Sequence, residues 1–160
     1  PRMGFGRLLM NIIGIDPGLS GAVARIKTNS VYVSDMPVYL DGKQKHVDAA
    51  TLSQIIESEG LPDVAILERV HSMPRQGVAT TFSFGRAVGV AMGVLGARRI
   101  PMVQVTPSQW KKHFGLTSDK EQARGLAIQR FPLIAECLNR KKDADRAEAL
   151  LIAQWYLETR

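Results

Sequence analysis

The chain has 160 residues, 45% of them hydrophobic and 22% charged, a balance that fits one globular domain and excludes a disordered or fibrous chain. Its single cysteine, Cys137, leaves no disulfide framework and no multi-cysteine zinc site. Lys plus Arg number 21 against 15 for Asp plus Glu; the surplus is +1 over residues 1–97 and +5 over residues 98–160, a basic half that points to an anionic partner, nucleic acid first.

Residues 1–9 mix Arg and Gly with a brief apolar patch, without the pattern of a signal peptide, and read as an N-terminal extension or a cloning remnant. Residues 10–160 read as one domain. The run Asn11 to Asp16 has the length of a strand and stops at the turn pair Pro17-Gly18. Ser20 to Lys27 and Ser30 to Met36, separated by Thr28-Asn29, complete a three-stranded antiparallel meander. Val47 to Glu59 is amphipathic, has Asp48 near its start, and ends at Gly60 and Pro62, the marks of a helix. Val64 to Glu68 is a fourth strand, apolar up to its final acid and so buried on both faces.

The loop Arg69 to Gly77 leads into a long helix of small residues, Val78 to Ala97. Its longest apolar stretch, Ala87 to Ala97, has eleven residues, short of a bilayer span, so a cytoplasmic location is expected. Met102 to Thr106 is a fifth strand, and Pro107 suits the first turn of the next helix. Ser118 or Asp119 caps a helix to Arg130, stopped by Pro132. The basic cluster Arg140-Lys141-Lys142 precedes a last helix, Asp145 to Leu157. This order is that of a mixed α/β domain, in which strands four and five, joined through helices, run parallel.

Four acids stand at the ends of elements. Asp16 and Glu68 close apolar strands; Asp145 and Glu148, three apart, share one face at the start of the last helix. A carboxylate at the end of a buried strand is costly unless a cation compensates it, and hard oxygen ligands select Mg²⁺ or Mn²⁺. If strands one and four are neighbours, the four acids can cage two ions about 4 Å apart, the arrangement used for in-line phosphodiester hydrolysis. Each piece has a plainer reading. Asp16 before Pro-Gly can bond its own turn, Glu68 can pair with Arg69, and Asp145 with Glu148 has capping-box spacing; Asp143 can cap instead.

The stretch Ile12-Ile-Gly-Ile-Asp16-Pro-Gly-Leu-Ser-Gly21 resembles the opening strand and turn of the RuvC-type Holliday junction resolvases. The likeness continues in Leu67-Glu68-Arg-Val, in Phe84-Gly-Arg-Ala-Val-Gly-Val-Ala91, in Trp110-Lys-Lys-His, in Lys120-Glu-Gln-Ala and in Ala144-Asp145-Arg-Ala-Glu148-Ala-Leu-Leu-Ile-Ala153, and so covers residues 10–157. The loop Met73-Pro-Arg-Gln-Gly77 is most similar to the phage-borne branch of that family. The resemblance implies a ribonuclease H-like fold, a five-stranded mixed sheet with helices on both sides. It implies a Mg²⁺-dependent endonuclease, with two ions per site, that makes paired nicks across a four-way DNA junction. Asp16 would bridge the metals, Glu68 would bind one, and Asp145 with Glu148 would complete the site. The last acid is Glu where the family often has Asp, and Asp143 is a competing ligand two residues before Asp145. Direct attack by a metal-activated water would leave a 5′-phosphate and a 3′-hydroxyl.

The same resemblance places Lys111 and Lys120 at the cleaved backbone, Lys111 as a catalytic residue, with Lys112, His113 and Arg124 as neighbours. His71 would stand where relatives often carry an aromatic that stacks on a base, and Arg75 and Gln76 would follow the phosphates. Plain solvated charge is the alternative for each. Gly85, Gly89 and Gly93 make one glycine face, either packed on the sheet of the same chain or paired with a copy of itself in a homodimer; a junction has two equivalent cut sites, which fits the dimer. Three rival readings remain on sequence: a sugar-kinase or actin-type ATPase, for which 160 residues leave no room; a non-catalytic nucleic-acid-binding domain, which would have no need of all four acids; and the same nuclease on forks, flaps or structured RNA.

Overall fold

The structure is a computed structural model and describes residues 10–69, 71 and 75–160. Residues 1–9, and Met73 and Pro74 of the loop before Val78, lie outside the described residues. Strands β1 (Asn11–Asp16), β2 (Ala22–Lys27), β3 (Ser30–Asp35), β6 (Val64–Glu68) and β7 (Met102–Val105) form one sheet in the order β3-β2-β1-β6-β7. β1, β2 and β3 pair antiparallel; β6 joins β1, and β7 joins β6, in parallel. The mixed five-stranded sheet expected from the sequence is therefore observed. A separate two-stranded hairpin, β4 (Val38–Asp41) and β5 (Gln44–Val47), was not foreseen. Gly42 turns it with a left-handed φ of 60°.

Helices cover both faces. Residues alternate between the faces along each strand. Ile13 and Ile15 of β1, with Ala65 and Leu67 of β6, pack against α1 (Ala49–Glu57) and α2 (Val78–Ala97). Ile12, Val64 and Ile66 pack on the other face against α3 (Pro107–His113), α4 (Lys120–Arg130) and α5 (Ala144–Thr159). Several boundaries move. β2 begins at Ala22 rather than Ser20, β3 ends at Asp35, and Val47 closes β5 instead of opening α1. α1 starts one residue after Asp48, whose side chain accepts from the Ala50 and Thr51 amides at 3.1 Å each. β7 ends at Val105 because Thr106 caps α3 in a capping box with Gln109. α4 is capped by Asp119.

α2 has 20 residues, about 30 Å of helix, and by length and composition could cross a membrane, unlike the eleven-residue stretch considered above. Arg86 interrupts it, and Ala87, Ala91 and Leu95 seat one face of it in the core.

Candidate active site

Strand alternation decides where the strand-ending acids point. Asp16 lies two residues after Gly14, and Glu68 two after Ile66, on the sheet face that carries α5. β1 and β6 are parallel neighbours, so both carboxylates leave the sheet at the same end. α5 crosses β1 with almost no gap: a Cβ on Gly14 would meet the Ala149 carbonyl oxygen at 2.2 Å and the Ala153 nitrogen at 2.8 Å. Only glycine fits there, and the alanines of α5 complete the contact. The first turn of α5, with Asp145 and Glu148, is thereby laid over Asp16. Arg146 fixes that turn from the other side with a bidentate pair to Asp35 at the end of β3, 2.6 and 2.8 Å.

Carboxylate oxygens of Asp16, Asp145 and Glu148 lie within 4.8 Å of one another, close enough for all three to hold one metal ion. Glu68 stands beside them, outside that group of three. Burial pushes the Asp16 carboxyl up to about 7, with help from the nearby charges of Glu68, Asp145 and Glu148. Burial also raises Glu68, against a hydrogen bond from Trp110. Its turn bond is weak: the Gly18 amide reaches Asp16 Oδ1 at 3.5 Å, so the role of a simple turn-capping Asp does not describe it.

Two lysines reach into the acids. Lys111 Nζ is 3.1 Å from Glu148 Oε1, an oxygen that is fully buried and lacks hydrogen-bond geometry to any partner among the described residues. The contact is thus a charge pair without an aligned bond. Lys120 Nζ bonds Asp145 and lies 3.8 Å from Glu148 Oε2. Partial burial would lower the Lys120 pKa, but the carboxylates of Asp145, Glu148 and Asp16 raise it overall. Trp110, wholly buried, donates its indole N–H to Glu68 Oε1 at 2.9 Å. Trp110 is not among the site residues expected from the sequence. A tryptophan beside Lys111 in a short capped helix is the signal that was present.

Other expectations change. Glu68 pairs with Trp110 rather than with Arg69. Asp143 is held by Arg140 at 2.8 Å and by Arg146 at 3.6 Å and lies outside the acidic group of three. Asp145 and Glu148 form no capping box, since the residue before the helix is Asp143 and Glu148 is buried. Arg124 pairs with Glu121 and donates to the Leu138 and Asn139 carbonyls at 3.0 Å each, so the turn it closes occupies its guanidinium. His113 pairs with Glu158 at 2.7 Å. Lys112, His71, Arg75 and Gln76 are exposed, and Arg75 has a left-handed φ of 72°. A Cβ on Gly85, Gly89 or Gly93 would meet nothing within 4 Å, so this face does not pack on the chain's own sheet.

No protein-family model matches the chain. Among curated proteins, the crossover junction endodeoxyribonuclease RuvC of a Nocardioides species is 31% identical over 90% of this chain and 84% of the relative. The chain belongs to the RuvC family. The RuvC of Thermomicrobium roseum is 29% identical over 93% of each chain. The fold agrees: a Thermus thermophilus RuvC in complex with a Holliday junction substrate aligns with a TM-score of 0.59 at 17% identity, covering 93% of this chain and 96% of that one. A yeast mitochondrial Holliday junction resolvase aligns at 0.58 and 14%, covering 93% and 79%. The ribonuclease H-like expectation is thus met by RuvC folds.

Proposed function

We propose that the chain is a divalent-metal-dependent endonuclease that resolves four-way DNA junctions by paired nicks. The observation that carries this reading is the convergence of Asp16, Asp145 and Glu148 within 4.8 Å, from two separate elements, with Glu68 alongside. Family membership supplies the substrate class. The donor set fits a hard cation: all oxygen, largely buried, with Asp16 raised to about 7 by burial and then by its neighbours' charge, and one Glu148 oxygen lacking a hydrogen bond among the described residues. Asp16, Glu68, Asp145 and Glu148 would hold Mg²⁺, two ions in this reading, with Mn²⁺ able to substitute. Such ions activate water and stabilise both the attacking and the leaving oxygen of a phosphodiester.

The chain's own residues carry the rest. Lys111 and Lys120 neutralise the acids at rest and offer mobile ammonium groups to a scissile phosphate. Trp110 fixes the rotamer of Glu68. Lys112 and the loop of His71, Arg75 and Gln76 lie on the exposed surface where DNA arms would run. A homodimer fits the two cut sites of a junction. The open face of α2 supports it, since Val78 and Met92 are 87% and 37% exposed beside the three glycines. The likeness to phage-borne members rests on the sequence motifs.

The test is incubation with a synthetic four-way junction, a fork and a plain duplex, in Mg²⁺, in Mn²⁺ and in EDTA. Paired nicks in the junction alone, with either metal and not with EDTA, are expected. Equal cutting of the fork would move the substrate to branched DNA in general, and no cutting of any substrate would overturn the reading. Light scattering should give about twice 17.6 kDa; a monomer even on the junction would remove the paired-nick model.

A further inference from the structure

The cleft at the acids extends well beyond them. A cavity of about 820 Å³ runs from Asp16, Asp145 and Lys120 to the β4–β5 hairpin and the first half of α2, where Lys45, His46 and Arg86 line it. A smaller cleft of about 70 Å³ marks the seam between hairpin and helix; Lys45, His46 and Arg86 line it too, and none of the acids does. The cavity therefore has two chemically distinct ends, one anionic and one cationic. The cations nearest the acids and the last helix, Lys111, Lys120, Arg124, Arg140 and Arg146, have carboxylate partners. Among the described residues, Lys45, His46 and Arg86 have none. Two of them lie beside aromatic rings: Arg86 is 5.9 Å from the centroid of the Phe82 ring, and the rings of His46 and Tyr39 are 5.4 Å apart.

The hairpin has little reason of its own to exist. Every residue of β4 is exposed, and a lone two-stranded ribbon is marginal in water. Its base is fixed to the core through Val47 and through Met36 just before it, and the Asp48 amide bonds the Pro37 carbonyl at 2.9 Å. The result is a ribbon along the groove that leads from the acids, with Lys45 and His46 among the lining residues. Cations without acid partners, next to an exposed aromatic, are the elements of a single-strand groove, in which phosphates meet charge and bases meet rings. At about 820 Å³ the space lies in the upper part of the roughly 300–1,000 Å³ range of ligand clefts. That volume suits a short run of one strand.

We infer that the β4–β5 hairpin and the N-terminal half of α2 form a second, phosphate-binding wall of the substrate groove, holding the single DNA strand that continues from the scissile phosphate. The inference rests on the nuclease reading and adds a binding surface to it. Lys45 and Arg86 contact phosphates, and Phe82 takes a base face.

The test compares wild type, Lys45→Ala with Arg86→Ala, and a control pair, Lys27→Ala with Arg98→Ala. The control removes the same charge from the opposite end of the sheet, where Lys27 is paired with Asn11 in the β ladder and Arg98 follows α2. Affinity for a synthetic four-way junction is measured in EDTA across a salt series, with melting temperatures to confirm folding. Binding by the groove pair should weaken on the order of tenfold at 100 mM salt relative to the control, with a log–log salt slope shallower by about 1 to 2. A groove pair that matches the control in both affinity and slope overturns the inference. Wild-type cleavage of the same junction in Mn²⁺ is scored separately. Its failure would count against the nuclease reading, whereas the salt slopes in EDTA report on the groove alone.

Discussion

The two ends of β1 bury charge in opposite ways. Near Asn11, Arg25 is 4% exposed and both terminal nitrogens of its guanidinium are engaged: it donates to Asn11 Oδ1 at 2.6 Å, to the Gly60 carbonyl at 2.9 Å and to the Ile56 carbonyl, closing the C-terminal end of α1. At the other end, Asp16 meets three further carboxylates and one distant amide. The cation is satisfied by the chain; the anions are satisfied only in part, by the Trp110 indole and by two lysines on movable arms. A buried charge that the protein completes is structural, and one it leaves incomplete is set for something arriving from outside.

The sharpest way to break that contrast is Asp16→Asn. Cleavage of a junction should fall at least on the order of a thousandfold, while binding in EDTA stays close to wild type. Normal turnover would remove Asp16 from the site. Next in size, Arg25→Met should cost about 2–4 kcal/mol in denaturant unfolding, because several carbonyls lose their donor and remain buried. No change in the unfolding midpoint would show that water replaces the guanidinium freely. Trp110→Phe keeps most of the ring but removes the donor to Glu68; metal affinity, read by calorimetry with Mn²⁺, should weaken about ten- to a hundredfold. Unaltered affinity would leave Trp110 a packing residue.

The smallest effect is on stability against pH. The Asp16 carboxyl titrates near 7 when folded, above its ordinary 3.8, so its favourable contribution is complete below about 4 and is lost as pH rises through 7. In EDTA, Asp16→Asn should therefore melt a few degrees higher than wild type at pH 8, with the gap closing toward pH 4. Mn²⁺ should raise the melting point of the wild type more than that of the variant. A gap that does not change with pH would show that Asp16 is already ionised when folded.

The acids at strand ends were legible in the sequence because their signal is local: an apolar run such as Ile12 to Ile15 that stops at a carboxylate. The five strands and the parallel pairing of β6 and β7 followed from the same periodicity and from connection length. What escaped depends on contacts distant in the chain. Trp110 finds Glu68 across 42 residues, and Asp143 is drawn from the site by Arg140 and Arg146, which no spacing rule reveals. The β4–β5 hairpin is a different kind of miss, since Asp41-Gly42 is a hairpin signal, here flanked by too short an alternation to stand out. The open face of α2 was visible as glycines at every fourth position, but that the chain's own sheet leaves it uncovered became visible only in three dimensions.

The contact between Gly14 and α5 is main chain against main chain, so it acts as a gauge with no adjustable part. The distance from the β1 acid to the α5 acids cannot be retuned by exchanging one side chain for another. A methyl group added at Gly14 would lift the helix and widen the cage while leaving every ligand in the sequence intact. Metal affinity should then drop well before the protein unfolds, and compensation would have to come from α5 itself. Drift at this crossing is thus confined to matched changes on two elements more than a hundred residues apart.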